Sequence, residues 1–146
     1  MTDPTFAAIS GGDGTPPEPD WRSIFTEDDD IACATVQWGL VVREMRDAST
    51  LAVANGHAIK RLVEFRVQYE RAARQVAESG PILKAKRSRV PQYNPHWIVM
   101  RQADDNIRVA EIELGISPLR RGKAGKVNRV KKAPRAADAF LKPVSK

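Results

Sequence analysis

An all-α fold is predicted for this 146-residue chain: a small antiparallel bundle of three main helices plus a short C-terminal helix. Three observations predict it. Apolar residues recur at helical spacing in three separate stretches. Each stretch is bounded by start and stop signals built from Asn, Ser, Gly and Pro. Aromatics make up only 6% of the residues, which suits an aliphatic helical core better than a sandwich rich in aromatic cross-strand pairs.

The length fits one small domain with appended ends. Residues 1–20 are Gly, Pro, Thr and acid with little to bury, and they read as a disordered arm. Trp21 and Phe25 are the first apolar anchors. The helical domain spans 21–121, and residues 122–146 form a flexible basic tail with no sustained amphipathic period.

The first helix is expected to begin near Thr26. In the run TEDDD, Thr26 is placed to cap and Asp29 to complete a short capping box. Asp28, Asp29 and Asp30 lie at the positive end of the helix dipole. Ile31, Ala34, Trp38, Val41 and Met45 form one stripe, and the helix fades between Asp47 and Thr50. The second helix starts between Leu51 and His57 and ends at Ser79, before Gly80-Pro81. Its stripe is Ala58, Leu62, Phe65, Tyr69, Ala72 and Val76, widened by Ile59, Val63, Ala73 and Ala77. Arg66 with Glu70, and Arg74 with Glu78, are spaced as surface i, i+4 pairs.

Residues 81–93, PILKAKRSRVPQY, have the length of an extended connection. Ile82–Leu83 and Arg89–Val90 are candidate strands of a short β-hairpin between helices two and three. The third helix opens with Asn94 as cap and Pro95 at its first position. It runs to Leu114 with the stripe Met100, Ala103, Ile107, Ala110, Leu114, and stops at Gly115. Ser117-Pro118 repeats the cap-plus-proline signal and starts the short helix. The seams are short and rich in alanine, so one protomer buries a modest core, and a homo-oligomer is the physically sensible supplement.

The sequence offers little for catalysis. His57 and His96 lie in different segments and Cys33 is the lone cysteine, so no metal site and no cofactor is expected. Cys33 falls in an apolar pattern and reads as a small buried hydrophobe. No Ser or Cys stands in a nucleophile-elbow setting, and GGDG at 11–14 lacks the lysine of a phosphate loop. Asp104 and Asp105 lie within ion-pairing reach of Arg101 and Arg108. The start of the chain lacks the pattern of a signal peptide, and no run approaches the length of a membrane span.

Charge is the remaining signal. Residues 120–146 hold ten Lys/Arg and one acid, a net +9, whereas residues 1–119 hold 14 basic and 17 acidic groups, a net −3. A second basic cluster lies in the connection. The candidate DNA-binding residues are therefore Lys84, Lys86, Arg87 and Arg89, and Arg120, Arg121, Lys123, Lys126, Arg129, Lys131 and Lys132. Such clusters suit phosphates, which supply salt-dependent affinity rather than sequence reading.

The segment NPHWIVMRQADDNIRVAEIELGISPLRR adds specificity. It resembles the C-terminal signature of a family of tailed-bacteriophage terminase small subunits: an Asn-Pro helix start, a mixed helix, then E-L-G-hydrophobic-[ST]-P-x-x-R. Asn94 and Pro95 match the first element, and Glu113 to Pro118 with Arg121 match the last. Trp38 fits a tryptophan usual in the first helix, Leu51 the usual start of the second, and Gly80 the usual glycine before Asn-Pro. The resemblance covers roughly residues 21–121. It departs at VANGHA, where the family often has Thr and Asp.

The resemblance implies a non-enzymatic protein that recognises the packaging start on double-stranded phage DNA. It also implies a ring-like homo-oligomer and a large-subunit partner that carries the ATPase and nuclease. The setting would be the cytoplasm of the infected bacterial host, away from any membrane. Two other classes fit the residues as well: a helical DNA-binding transcriptional regulator, and a structural adaptor whose basic tail meets an acidic partner.

Overall fold

The computed structural model describes residues 14–121 and 123–124. Three helices and one hairpin follow one another: α1 (Asp28–Asp47), α2 (Gly56–Ser79), β1 (Ile82–Lys84), β2 (Pro91–Tyr93) and α3 (Pro95–Glu113). Single 3-10 turns precede α1 at Trp21–Ser23 and α2 at Val53–Asn55. The helical fold and the hairpin between α2 and α3 match the sequence expectation.

Helix α2 is the centre, packed against both α1 and α3. Cross-links along its middle and late turns show that each neighbour runs antiparallel to it. Early α1 meets late α2 where Asp30 bonds Arg71 and Arg74, and mid-α1 meets mid-α2 where Arg66 donates to Gln37. Arg66 also donates to Glu111 near the end of α3, at 2.8 Å. The core gathers Ala34, Trp38, Val41 and Met45 from α1, as the first stripe predicts, with Val42 beside them.

Of the residues buried on α2, Leu62 and Ala72 lie in the predicted stripe, Ile59 and Val63 in its widening, and Val67 is added by the structure. Phe65, Tyr69 and Val76 are only half-buried. The reason is that α2 serves two neighbours, so its buried face is centred between them rather than on one seam. On α3, Ala103 and the cap residue Leu114 are buried, and Ile107 and Ala110 pack against the core from partly covered positions.

Several local expectations are corrected. The N-cap of α1 is Glu27, with no side-chain cap bond, so Thr26 and Asp29 form no capping box. Arg66 and Arg74 spend their guanidinium groups between helices rather than on Glu70 and Glu78. The second strand is Pro91–Tyr93 and not Arg89–Val90, because Arg89 takes a left-handed φ of 51° that an extended strand cannot hold. Leu51 lies ahead of α2 in the connection, where it is buried and its N–H donates to Met45 O.

The expected short C-terminal helix is instead a set of turns. The N–H groups of Arg120 and Arg121 both donate to Ser117 O, and that of Lys123 donates to Arg120 O. The arm expected over 1–20 and the tail expected over 122–146 lie largely outside the described residues. Of the arm, residues 14–20 are described, and Pro16 is buried. A Cβ on Gly56 would sit 3.0 Å from the Pro16 ring. Trp21 is buried as an anchor, stacked on Phe25 at 6.2 Å and edge-on to Trp38 at 6.0 Å.

Candidate nucleic-acid interface

The hairpin is built by what flanks it. Gly80 ends α2 with φ 79°, which turns the chain out of the helix axis. Strand β1 then pairs antiparallel with β2, in the register Ile82↔Tyr93, Leu83↔Gln92, Lys84↔Pro91. Every residue of both strands is exposed, so the hairpin stands clear of the core. Its base is held by Asn94, which is fully buried. The Asn94 side-chain NH2 donates to Ser79 Oγ and Gly80 O, its carbonyl accepts from His96 N, and its own N–H donates to Pro81 O. One side chain thus caps α3, closes α2 and fixes the root of the hairpin.

A second brace lies on the surface. The Tyr93 ring stacks on Trp97, with centroids 5.4 Å apart and planes 9° from parallel. The Arg101 guanidinium lies 4.9 Å from the Trp97 centroid. Trp97 and Arg101 are one turn apart on α3, and Tyr93 reaches Trp97 from the end of β2, a four-residue spacing that is visible in the sequence.

Lys84 closes β1, and Lys86, Arg87 and Arg89 occupy the six-residue loop from Ala85 to Val90. All four are exposed. Among the described residues none of them joins an ion pair, whereas Arg66, Arg71, Arg74, Arg108 and Arg121 all do. No acid occurs between Glu78 and Asp104, so the hairpin and the first turns of α3 carry no carboxylate. The loop is a patch of unneutralised positive charge.

The second cluster sits elsewhere. The ELGISPLRR segment closes α3 in a Schellman motif: Gly115 N–H donates to Ile112 O and Ile116 N–H to Glu111 O. Gly115 has φ 71°, and a Cβ there would lie 2.6 Å from the Ala124 Cβ. Glycine is therefore required twice, by the backbone turn and by the chain folding back over it. Leu114, Ile116 and Ser117 are buried, so the motif is an anchor for the end of α3. Arg121 pairs with Glu44 of α1 at 3.0 Å, while Arg120 and Lys123 are exposed. Lys126, Arg129, Lys131 and Lys132 lie outside the described residues.

The two clusters are not brought together. Helix α3 separates them with 19 residues, about 28 Å at 1.5 Å per residue. The hairpin extends from one end of the bundle, and the first tail cations leave from the other.

Cys33 is half-buried against the core rather than fully covered. Burial first, then the Glu70 carboxylate, pushes its thiol up from the ordinary value, which keeps it in the poorly nucleophilic protonated form. Among the described residues no group of His, Cys, Asp and Glu could hold a metal ion. Among them, too, no helix is long and apolar enough to cross a membrane.

A helical body that displays a braced cationic hairpin belongs to the class of small binding proteins. Comparison with known families makes this specific: the family model for the phage terminase small subunit matches residues 34–130, and the chain belongs to that family. The match starts within α1, takes in the hairpin and ELGISPLRR, and reaches past Arg129. Against the resemblance read over residues 21–121, it begins later and extends further at the C-terminal end. The protein is accordingly a non-enzymatic component of phage DNA packaging, and membership implies DNA and the large terminase subunit as partners. Searches of curated proteins and of solved structures give no match.

Proposed function

We propose that this chain is the terminase small subunit that binds the double-stranded packaging site of its phage genome and recruits or regulates the large ATPase/nuclease subunit. The observation that carries the DNA contact is the hairpin, with four exposed cations that form no ion pair among the described residues, in a stretch free of acids. The tail cations from Arg120 to Lys132 are the second contact, and those among the described residues, Arg120, Arg121 and Lys123, sit at the other end of the bundle. Contact at both ends fits a protein that tracks a length of duplex rather than one spot. The setting is the cytoplasm of the infected host, where packaging takes place.

Salt titration of duplex binding tests this. Charge reversal at Arg87 and Arg89 is expected to weaken binding to every duplex and to flatten the salt dependence. For every phosphate that the protein no longer neutralises, the log–log slope falls by about 0.9. Truncation after Gly122 is expected to act in the same direction while leaving the helical circular dichroism intact. If both variants keep wild-type affinity and slope, these cations are not the DNA contact, and an acidic protein partner becomes the better reading.

The protein is also proposed to work as a homo-oligomer. Support comes from apolar side chains left outside the protomer core: Val36 and Leu40 on α1, and Ile98, Val109 and Ile112 on α3, all exposed. Native mass spectrometry is expected to show several copies per particle. A monomer that persists at tens of micromolar, on the order of the concentrations such assays use, would rule this out.

A further inference from the structure

We infer that the β1–β2 hairpin is a sequence-reading ribbon that enters the major groove of duplex DNA. In this arrangement Arg87, Arg89 and Gln92 reach base edges while Lys84 and Lys86 hold the flanking phosphates. The inference rests on the DNA-binding reading above and goes past it, since phosphate contacts alone hold all sequences alike.

Dimensions select the groove. Paired strands lie about 4.8 Å apart, and side chains widen the ribbon well beyond the minor groove of ~6 Å, whereas the major groove of ~12 Å admits a two-stranded ribbon. Three paired positions and a six-residue loop give a reach that exceeds the groove depth of ~8.5 Å. Every residue of both strands is exposed, and the stacking of Trp97 on Tyr93 engages only one face of the hairpin.

Chemistry selects the role of each side chain. Side chains alternate between the two faces of a ribbon, so Tyr93 shares a face with Ile82, Pro91 and Lys84, and its ring is taken by Trp97. The opposite face carries Leu83 and Gln92. A glutamine can pair with adenine, an exposed leucine can meet a thymine methyl, and arginines at the tip can grip the guanine N7 and O6.

Preorganisation supports insertion. The buried Asn94 and the Tyr93–Trp97–Arg101 stack fix the ribbon to the start of α3. A ribbon already held in one orientation loses less freedom on binding than a free loop.

The test is selection by the full chain from a randomised 30-base-pair duplex library, an insert of about three helical turns. A common sequence is expected to emerge and to bind at least about tenfold more tightly than a scrambled duplex. Substituting 7-deazaguanine, which removes the major-groove N7 acceptor and leaves the minor groove unchanged, is expected to erase most of that preference. The triple variant Arg87→Ala, Arg89→Ala, Gln92→Ala is expected to lose the preference with its helical circular dichroism intact. Preference retained in that variant, or untouched by 7-deazaguanine, would show that the ribbon is not the reader. Salt-dependent binding with no sequence enriched overturns the ribbon and leaves the DNA-binding reading standing. Failure to bind any duplex at low salt overturns both and assigns the hairpin to an acidic protein surface.

Discussion

Leu62→Ala is expected to destabilise the protein by ~3–4 kcal/mol, within the range seen for leucine-to-alanine changes in other cores. Leu62 is 0% exposed and lies in the second turn of α2, the helix that both others pack against. Leu62 belongs to the one core cluster that α1, α2 and the end of α3 share, so truncation there leaves a gap in the common core. A domain of about this size carries roughly 5–15 kcal/mol in total, so the change takes a large share of it. At ~4–8 °C per kcal/mol for a domain of 60–100 residues, the melting temperature should fall by ~12–30 °C. Gln68→Ala lies on the same helix with its side chain exposed and should change stability by less than about 0.5 kcal/mol. Equal effects of the two changes would show that the face of α2 turned to the core is misassigned.

How far the fold is legible in the sequence depends on how local each signal is. The α1 stripe is legible because α1 buries one side against one neighbour. The caps of α3 are legible because Asn94-Pro95 and Leu114-Gly115 carry their geometry within a few residues. The α2 stripe, as its periodicity draws it, falls slightly to one side of the buried face. Ile59, Val63 and Val67 form a row of period four, and Val67 lies between Arg66 and Gln68, so a seam of alternating threes and fours passes it by. Ile59 and Val63 fall in the widening that the sequence shows, and packing against two neighbours extends the buried face to Val67.

The candidate site divides in the same way. Its cations are legible from composition, and the caps of α3 already set the distance between the clusters. The aromatic brace at 93, 97 and 101 is legible in spacing but is masked by the stronger charge signal around it. The double use of Asn94, as helix cap and as hairpin root, is not legible. Its partners Ser79 and Gly80 lie 15 and 14 residues away, and nothing in their own pattern announces the bond.

The ion pairs are the least legible feature, and they lead to the second large effect. Asp30 reads as one of three acids at a helix start, yet it is 1% exposed while Asp28 and Asp29 are exposed. Both of its carboxylate oxygens are taken. Arg71 donates to Oδ2 through Nε at 2.8 Å and through Nη2, and Arg74 donates to Oδ1 through Nη2 at 3.0 Å. The arginine side chains themselves are half-exposed, at 50% and 52%.

That asymmetry decides the outcome of mutation. The double change Arg71→Met, Arg74→Met keeps the aliphatic stems but leaves a buried carboxylate without its partners, a situation that typically costs ~3–5 kcal/mol. The α1 N-terminus still favours the negative charge, which places the expected destabilisation near ~3 kcal/mol. Asp30→Ala should cost only about 1–2 kcal/mol, because both guanidinium groups can return to water. Adding Asp30→Leu to the double methionine variant should restore most of the stability, since a buried ion cluster replaced by apolar side chains of similar size is often neutral or better. Urea denaturation of the four proteins measures each of these changes in stability. If Asp30→Ala proves as damaging as the double methionine change, or if the leucine fails to rescue, then the carboxylate is not the buried charge that these arginines hold in place.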